Sequence, residues 1–229
     1  MAAPLSVVIP TLDAEHELPG ALQCLMEGIS AGLIRELVIS DGGSRDATLA
    51  IADAAGAVVV SGTAGRGGQL RRGAAVASGQ WMLFLHADAQ LAVGWPGAVE
   101  DHIRQSEVAA VFRLRFRANG AMPRIVAGWA NLRSKMGLPY GDQGLLIRRD
   151  LYDQLDGYPD IPLMEDVVMA RKLRRNIKLL SARVSTDAHK YVRDGWLRRG
   201  AWNLVTLMYF FAGVAPDKLV SRYQRRGST

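Results

Sequence analysis

The sequence predicts an α/β protein with a mostly parallel central sheet flanked by helices and a helical C-terminal extension. Three observations carry this. Within the first ninety of its 229 residues, strand-like and helix-like segments alternate three times and close on a fourth strand-like run, the pattern of a doubly wound sheet. The fourth of these strand-like runs, Trp81 to Leu85, is continuously apolar, as strands buried on both faces of a parallel sheet are. A polar or glycine-rich cluster follows each run, and ligands of open α/β sheets gather at the carboxyl ends of strands.

Residues 5–9 (Leu-Ser-Val-Val-Ile) read as the first strand, stopped by Pro10. Thr11 and Asp13 can cap a helix over 15–31, with Leu18, Leu22, Leu25, Met26 and Ile29 at helical spacing and Gly32 ending it. A second strand over 36–40, a turn over 41–46, a short helix over 47–55 and a third strand over 57–60 follow. A glycine-rich turn leads to a helix over 69–77. The fourth strand begins at Trp81 and delivers His86, Ala87 and Asp88 to the sheet edge. The second half is less regular. Helices are expected over 95–105, 124–136, 165–175 and 196–215, with a basic one restarting at Pro216 and running to 226. Strands are expected over 109–117, 145–147 and 178–184. The first of these reads as half-exposed, because Val111, Arg113, Arg115 and Arg117 share one side.

Composition narrows the classes. The chain is 49% hydrophobic and 22% charged, enough to bury a substantial core. A single cysteine, Cys24, excludes an intrachain disulfide and suits a reducing, cytoplasmic setting. No basic residue precedes the first apolar run, so no signal peptide is expected. The net charge of +6 is unevenly placed: residues 171–229 hold 14 Lys and Arg against three Asp. Such a segment can meet an anionic partner or form solvated surface and contacts to the acidic remainder.

Four constellations can carry chemistry. Asp41, two glycines, Ser44 and Asp46 form a strand-to-helix turn where Asp41 can meet a nucleoside hydroxyl or base edge; Ser44 and Asp46 also suit a plain helix N-terminus. Arg66 beside Gly67 and Gly68 suits an anion such as a diphosphate, with Arg71 and Arg72 equally suited to solvated surface. His86 and Asp88 point the same way on an extended chain and together can hold a divalent ion, although His86 alone also reads as a hydrogen-bonded core histidine. Glu165 and Asp166 open a helix, where carboxylates favour the dipole or one of them acts as a general base. Asp142, in a Gly-Asp-Gln-Gly loop, has the same two readings. Neither a dinucleotide nor a P-loop fingerprint is present.

In order along the chain stand Val7-Val8-Ile9-Pro10-Thr11, the 38–48 segment from Val-Ile-Ser-Asp41 to Thr48, Phe84-Leu85-His86-Ala87-Asp88, Gly141-Asp142-Gln143-Gly144 and Met164-Glu165-Asp166-Val167. This set resembles the family 2 glycosyltransferases of GT-A fold, most closely the small bacterial subgroup termed radical-SAM/selenodomain-associated transferases, over residues 5–190. The resemblance implies a GT-A domain over 1–190 with residues 191–229 as a basic extension of it. It implies a nucleoside-diphosphate-sugar donor, with Thr11, Asp41, Arg66 and Ala87 around it and Asp13 in place of the family's glutamate. Asp88 matches the last carboxylate of the Asp-x-Asp motif and would hold Mg²⁺ or Mn²⁺. Asp166 matches the base that deprotonates an acceptor hydroxyl, giving inversion, with Glu165, Asp142 and His86 supporting it or binding the acceptor.

The departures are His86 where the family places a carboxylate and Asp13-Ala14 where it places Asn-Glu. The motif of processive synthases is absent, which implies single-sugar transfer to a small or lipid-linked acceptor. His189 is a candidate distal metal ligand or a surface histidine. A sugar-1-phosphate nucleotidyltransferase and a non-catalytic nucleotide-sugar or membrane module are the competing readings; nucleic-acid binding lacks aromatic stacking positions. The apolar core of the 196–215 helix is about a dozen residues, short of the about 20 that spanning takes. It fits a peripheral membrane interface, or packing on the sheet or on a second subunit of a homodimer.

Overall fold

The computed structural model describes residues 3–219 except 175 and 217. Its centre is an eight-stranded sheet in the order β3-β2-β1-β4-β7-β6-β8-β5. The strands are β1 (Leu5–Thr11), β2 (Ile34–Asp41), β3 (Val58–Ser61), β4 (Trp81–Phe84), β5 (Gln90–Leu91), β6 (Ala109–Phe116), β7 (Leu145–Arg148) and β8 (Ile177–Thr186). The β3-β2-β1-β4 half is parallel throughout, as alternating strands and helices dictate. In the other half β7 runs antiparallel to both β4 and β6, and β6 and β8 pair parallel. The sheet is therefore largely parallel with a mixed edge.

Nine helices among the described residues cover it: α1 (Leu18–Ser30), α2 (Thr48–Ala54), α3 (Arg66–Val76), α4 (Trp95–Gln105), α5 (Ala121–Lys135), α6 (Arg149–Gln154), α7 (Glu165–Lys172), α8 (His189–Asp194) and α9 (Trp196–Phe211). Side chains alternate across a strand, and β1 shows it: Leu5, Val7 and Ile9 pack with Leu18 and Leu25 of α1 and Trp95 of α4, while Val8 packs with Leu70 of α3 and Met169 of α7. Two apolar layers result, one on each face. Gly73 lets α3 lie close on β1, because a Cβ there would stand 2.4 Å from the Val8 Cγ1.

Several expectations need correction. Thr11 and Asp13 do not cap α1; its N-cap is Glu17, without a side-chain cap bond. Met26 and Ile29 are exposed, and the helix instead buries Leu18, Ala21, Leu25 and Gly28. Small residues at i+3 let the helix turn that face inward. The third helix starts at Arg66, so Gly67 and Gly68 are helical rather than part of the turn. Strand β6 is buried through Phe112 and alternates only from Arg113 onward, because the apolar layer on one face reaches Ala109 and Val111 and no farther, while the layer on the other face continues through Leu114 and Phe116. The 196–215 helix ends at Phe211, and α8 precedes it. Most of the helix expected over 216–226 lies outside the described residues.

Candidate active site

The parallel pairing of β1 with β2 sets Thr11 beside Asp41, and Thr11 Oγ1 donates to Asp41 Oδ1 at 3.0 Å. Asp41 also accepts from the Ser44 hydroxyl at 2.5 Å and from the N–H groups of Gly43 and Ser44 at 2.7 and 2.9 Å. Burial alone would raise its pKa, but these four bonds hold the carboxyl below its ordinary value. Asp41 is 1% exposed, so in this arrangement it shapes the turn from behind rather than facing open space. Asp13 takes the left-handed conformation (φ 47°). Its N–H donates to Ser44 Oγ, and its Oδ1 accepts from the Arg45 N–H. Farther on, Asp46 accepts from the Glu15 N–H, and Glu15 accepts from the Ala47 N–H. The loops after β1 and β2 are thereby clamped together.

In front of this clamp lies a cleft of about 680 Å³, lined by Thr11, Asp13, Arg66, His86, Ala87 and Asp88. The sequence offered these six as donor, metal or supporting residues, and the fold brings them to one cavity. Gln69, buried beneath it, donates to the Thr11 and Ser40 carbonyls and accepts from the Gly65 N–H. This fixes the start of α3 and hence Arg66. Arg71 pairs with Asp156 and Arg72 donates to the Thr63 carbonyl, so both act as braces outside the cleft lining.

Asp88 sits on the turn after β4. Its Oδ2 accepts from Thr186 Oγ1 at 2.7 Å, and its carbonyl accepts from Arg117 at 2.7 Å. The pairing of β5 with β8 places Gln90 against Ser185, which carries the end of β8 to Asp88. Asp187 lines the same cleft. It follows a strand end directly, so the polar-cluster rule applied to 185–187 would have found it. No group of three or more His, Cys, Asp or Glu side chains suited to a metal occurs among the described residues. Mg²⁺ and related hard cations are commonly held by one or two carboxylates plus substrate phosphates. Asp88, oriented by Thr186 and facing a cleft wide enough for a diphosphate, fits that mode. His189 is exposed, at the start of α8, and does not line the cleft.

The second half of the site adjoins the first through Arg66, which also lines a cavity of about 110 Å³ with Tyr140, Asp142, Glu165, Asp166 and Asn203. Both Asp166 oxygens accept main-chain N–H groups, from Gly141 and Val167, each at 2.7 Å. His86 Nδ1 lies 3.3 Å from Asp142 Oδ1, tying the β4 end to the loop before β7. Arg66 Nε lies 3.7 Å from Glu165 Oε1. Burial pushes the Glu165 carboxyl above its ordinary range and the Asp166 charge adds to this, while Arg66 and His86 oppose it. Tyr140, Asn203 and Thr206 of this cavity were missed. Asn203 and Thr206 lie on α9, whose apolar composition masked them.

The model of the family described as glycosyl transferase family 2 matches residues 6–153. The chain belongs to that family. The chain is also similar to a PGL/p-HBAD biosynthesis glycosyltransferase of Mycobacterium tuberculosis and Mycobacterium bovis, with 36% identity over 99 residues. That match covers 40% of this chain and only 38% of the mycobacterial protein. Among solved structures, S. aureus TarS 1–349 superposes with a TM-score of 0.64 at 17% identity, covering 93% of this chain and 66% of that one. Glucosyl-3-phosphoglycerate synthase from Mycobacterium tuberculosis, solved with Mn²⁺, UDP and glucosyl-3-phosphoglycerate, gives 0.55 at 24% identity over 80% of this chain and 70% of that one. At these identities the two structures establish the GT-A fold.

Proposed function

We propose that this family 2 member transfers a single sugar from a nucleoside-diphosphate sugar to a hydroxyl acceptor, with inversion and with a divalent metal. One observation carries the reading: the cleft that holds Asp88 and the cavity that holds Asp166 share Arg66 as a common wall. A donor diphosphate at Asp88 thus has its sugar directed toward a fixed carboxylate. The TarS complex with UDP-GlcNAc and the Mn²⁺–UDP complex of the synthase support donor and metal by analogy.

In this reading Thr11, Asp13 and Ala87 contact the nucleoside side of the donor, and Asp41 holds Thr11 and the 43–44 turn in place. Asp88 would hold Mg²⁺ or Mn²⁺, which would supply positive charge to the departing diphosphate. Asp166 takes the proton of the acceptor hydroxyl. The hydroxyl oxygen bonds to the anomeric carbon from the face opposite the diphosphate, and the carbon–oxygen bond to the diphosphate breaks with its electron pair. Two main-chain N–H groups hold the Asp166 carboxylate in one orientation during this step. Arg66 balances Glu165 beside the leaving group. His86 and Asp142 position the loop that carries Gly141.

The test is thermal stabilisation by a panel of nucleoside diphosphates with Mn²⁺. One diphosphate is expected to raise Tm in the parent protein and to do so far less in Asp88→Ala. If none stabilises, or if Asp88→Ala keeps the full effect, the reading fails.

A further inference from the structure

A third cavity, about 70 Å³, opens between α5 and α9. Its far wall is apolar: Phe116, Val126, Trp129, Leu204 and Leu207. Its near wall is Tyr140, Asp142 and Asn203, and these same three residues line the cavity of Asp166. The two spaces therefore adjoin across a shared wall, polar at the base and apolar away from it. The polar end is itself ordered, with the Arg133 guanidinium carbon 3.2 Å from the Tyr140 ring centroid.

The apolar character continues outside. Ile125, Trp129, Leu132 and Met136 are exposed by 46–60% and fall at i, i+4, i+7 and i+11, one face of a helix and its end. Leu204, Met208 and Phe211 are exposed along α9 by 46–63%. Such a patch beside a cavity marks a binding surface rather than scattered exposure. Neither α5 nor α9 contains an Asp or Glu, while Arg124, Arg133, Lys135, Arg198 and Arg199 lie on them. Arg133, Gln143 and Tyr191 add polar lining to the cavity beside its near wall, and the rest of the path, Phe116, Trp129 and Leu204 among it, offers an acceptor apolar contact.

We propose that the acceptor is an amphiphile: its hydroxyl lies at Asp166, the adjoining carbons fill the α5–α9 cavity, and the rest of its apolar chain lies along the exposed stripe. This rests on the transferase reading above for the role of Asp166. It deepens that reading by giving the acceptor's chemical class and the path it takes.

The probes are methyl, hexyl and octyl β-D-glucopyranosides, used below their micelle concentrations and titrated calorimetrically into the whole chain with Mn²⁺ and UDP. Affinity is expected to rise with chain length, by about threefold to fourfold for each methylene that becomes fully buried. Octyl should exceed methyl by well over tenfold. Leu204→Asn and Trp129→Gln replace half-exposed side chains and are expected to remove most of that gain. Met26→Gln, exposed on α1 away from the site, should leave it intact. Equal affinity for the three glycosides overturns the proposal. So does a gain that survives both substitutions, or a dimer that Trp129→Gln disperses while chain length has no effect. The donor reading is scored apart, by the UDP-induced shift in Tm. If UDP stabilises but chain length does not matter, the acceptor assignment alone falls. If no nucleoside diphosphate of the panel gives a shift with Mn²⁺, the transferase reading falls and takes the acceptor role with it; a shift with a diphosphate other than UDP only changes the nucleotide used in the titration.

Discussion

The Gly141 N–H donates to Asp166 Oδ2 at 2.7 Å while the Val167 N–H donates to Oδ1, so each oxygen of the proposed base is aimed by the main chain. Asp166→Asn turns one of those oxygens into an NH₂ group facing another donor. Its geometry and its basicity are lost together. The turnover rate should fall by about 10²–10⁴-fold, the usual contribution of a positioned base, while UDP affinity stays within about twofold because the donor cleft is untouched. Steady-state kinetics beside UDP calorimetry separates the two. A matching loss of UDP affinity would assign Asp166 to the donor instead.

Gly67 tests how Arg66 is held. An added Cβ would stand 2.2 Å from the Pro159 carbonyl oxygen and 2.9 Å from that of Ile161. Alanine in a helix normally gains about 1 kcal/mol over glycine. Here both contacts are main chain and cannot swing away, so overpacking at about 1–3 kcal/mol wins. Gly67→Ala should lower the urea midpoint and weaken donor binding, because the same loop leads to Glu165. A stabilised protein would show that the 159–161 segment yields easily.

The parallel half of the fold was readable because each of its strands has an apolar stretch of three or more residues followed by a polar cluster, and parallel pairing puts all those ends on one rim. The six cleft residues followed from that rule. What local pattern could not reveal is register between distant segments. The two-residue β5 is too short to have a period, yet its pairing with β8 is what delivers Thr186 and Asp187 to Asp88. Nor does the sequence around His86 say that Asp142 will meet it; that contact comes from the antiparallel pairing of Phe84 with Leu145. Asp41 reads in the sequence as a donor contact, whereas its buried carboxylate takes three hydrogen bonds from the Gly43–Ser44 turn and one from Thr11 on β1. Asn203 and Thr206 were hidden by a helix read as an apolar unit.

Asp41 carries a pH-dependent share of stability. Its folded pKa lies below the ordinary value, so its contribution is complete above the unfolded carboxylate range near about 4 and is lost as pH falls through the folded value. Asp41→Asn places an NH₂ group among four donors, leaving buried groups unpaired at about 1–3 kcal/mol. Urea unfolding should show that full deficit at pH 7 and a shrinking one on acidification below pH 4. A deficit independent of pH would mean that the charge on Asp41 contributes nothing.

Thr186→Val isolates the orientation of Asp88. Valine keeps the shape of the threonine side chain and removes the hydroxyl that donates to Asp88 Oδ2 at 2.7 Å. Thr186 is 5% exposed, so water does not readily replace that donor. Loss of a hydrogen bond behind a ligating carboxylate typically costs about 10–100-fold in metal affinity. The Mn²⁺ concentration that half-saturates the UDP-induced rise in Tm should increase by that factor, while the Tm of the unliganded protein changes little because the apolar packing is conserved. If the Mn²⁺ dependence is unchanged, Asp88 is not aimed through Thr186; if unliganded stability collapses instead, the hydroxyl serves the β8 end and not the metal site.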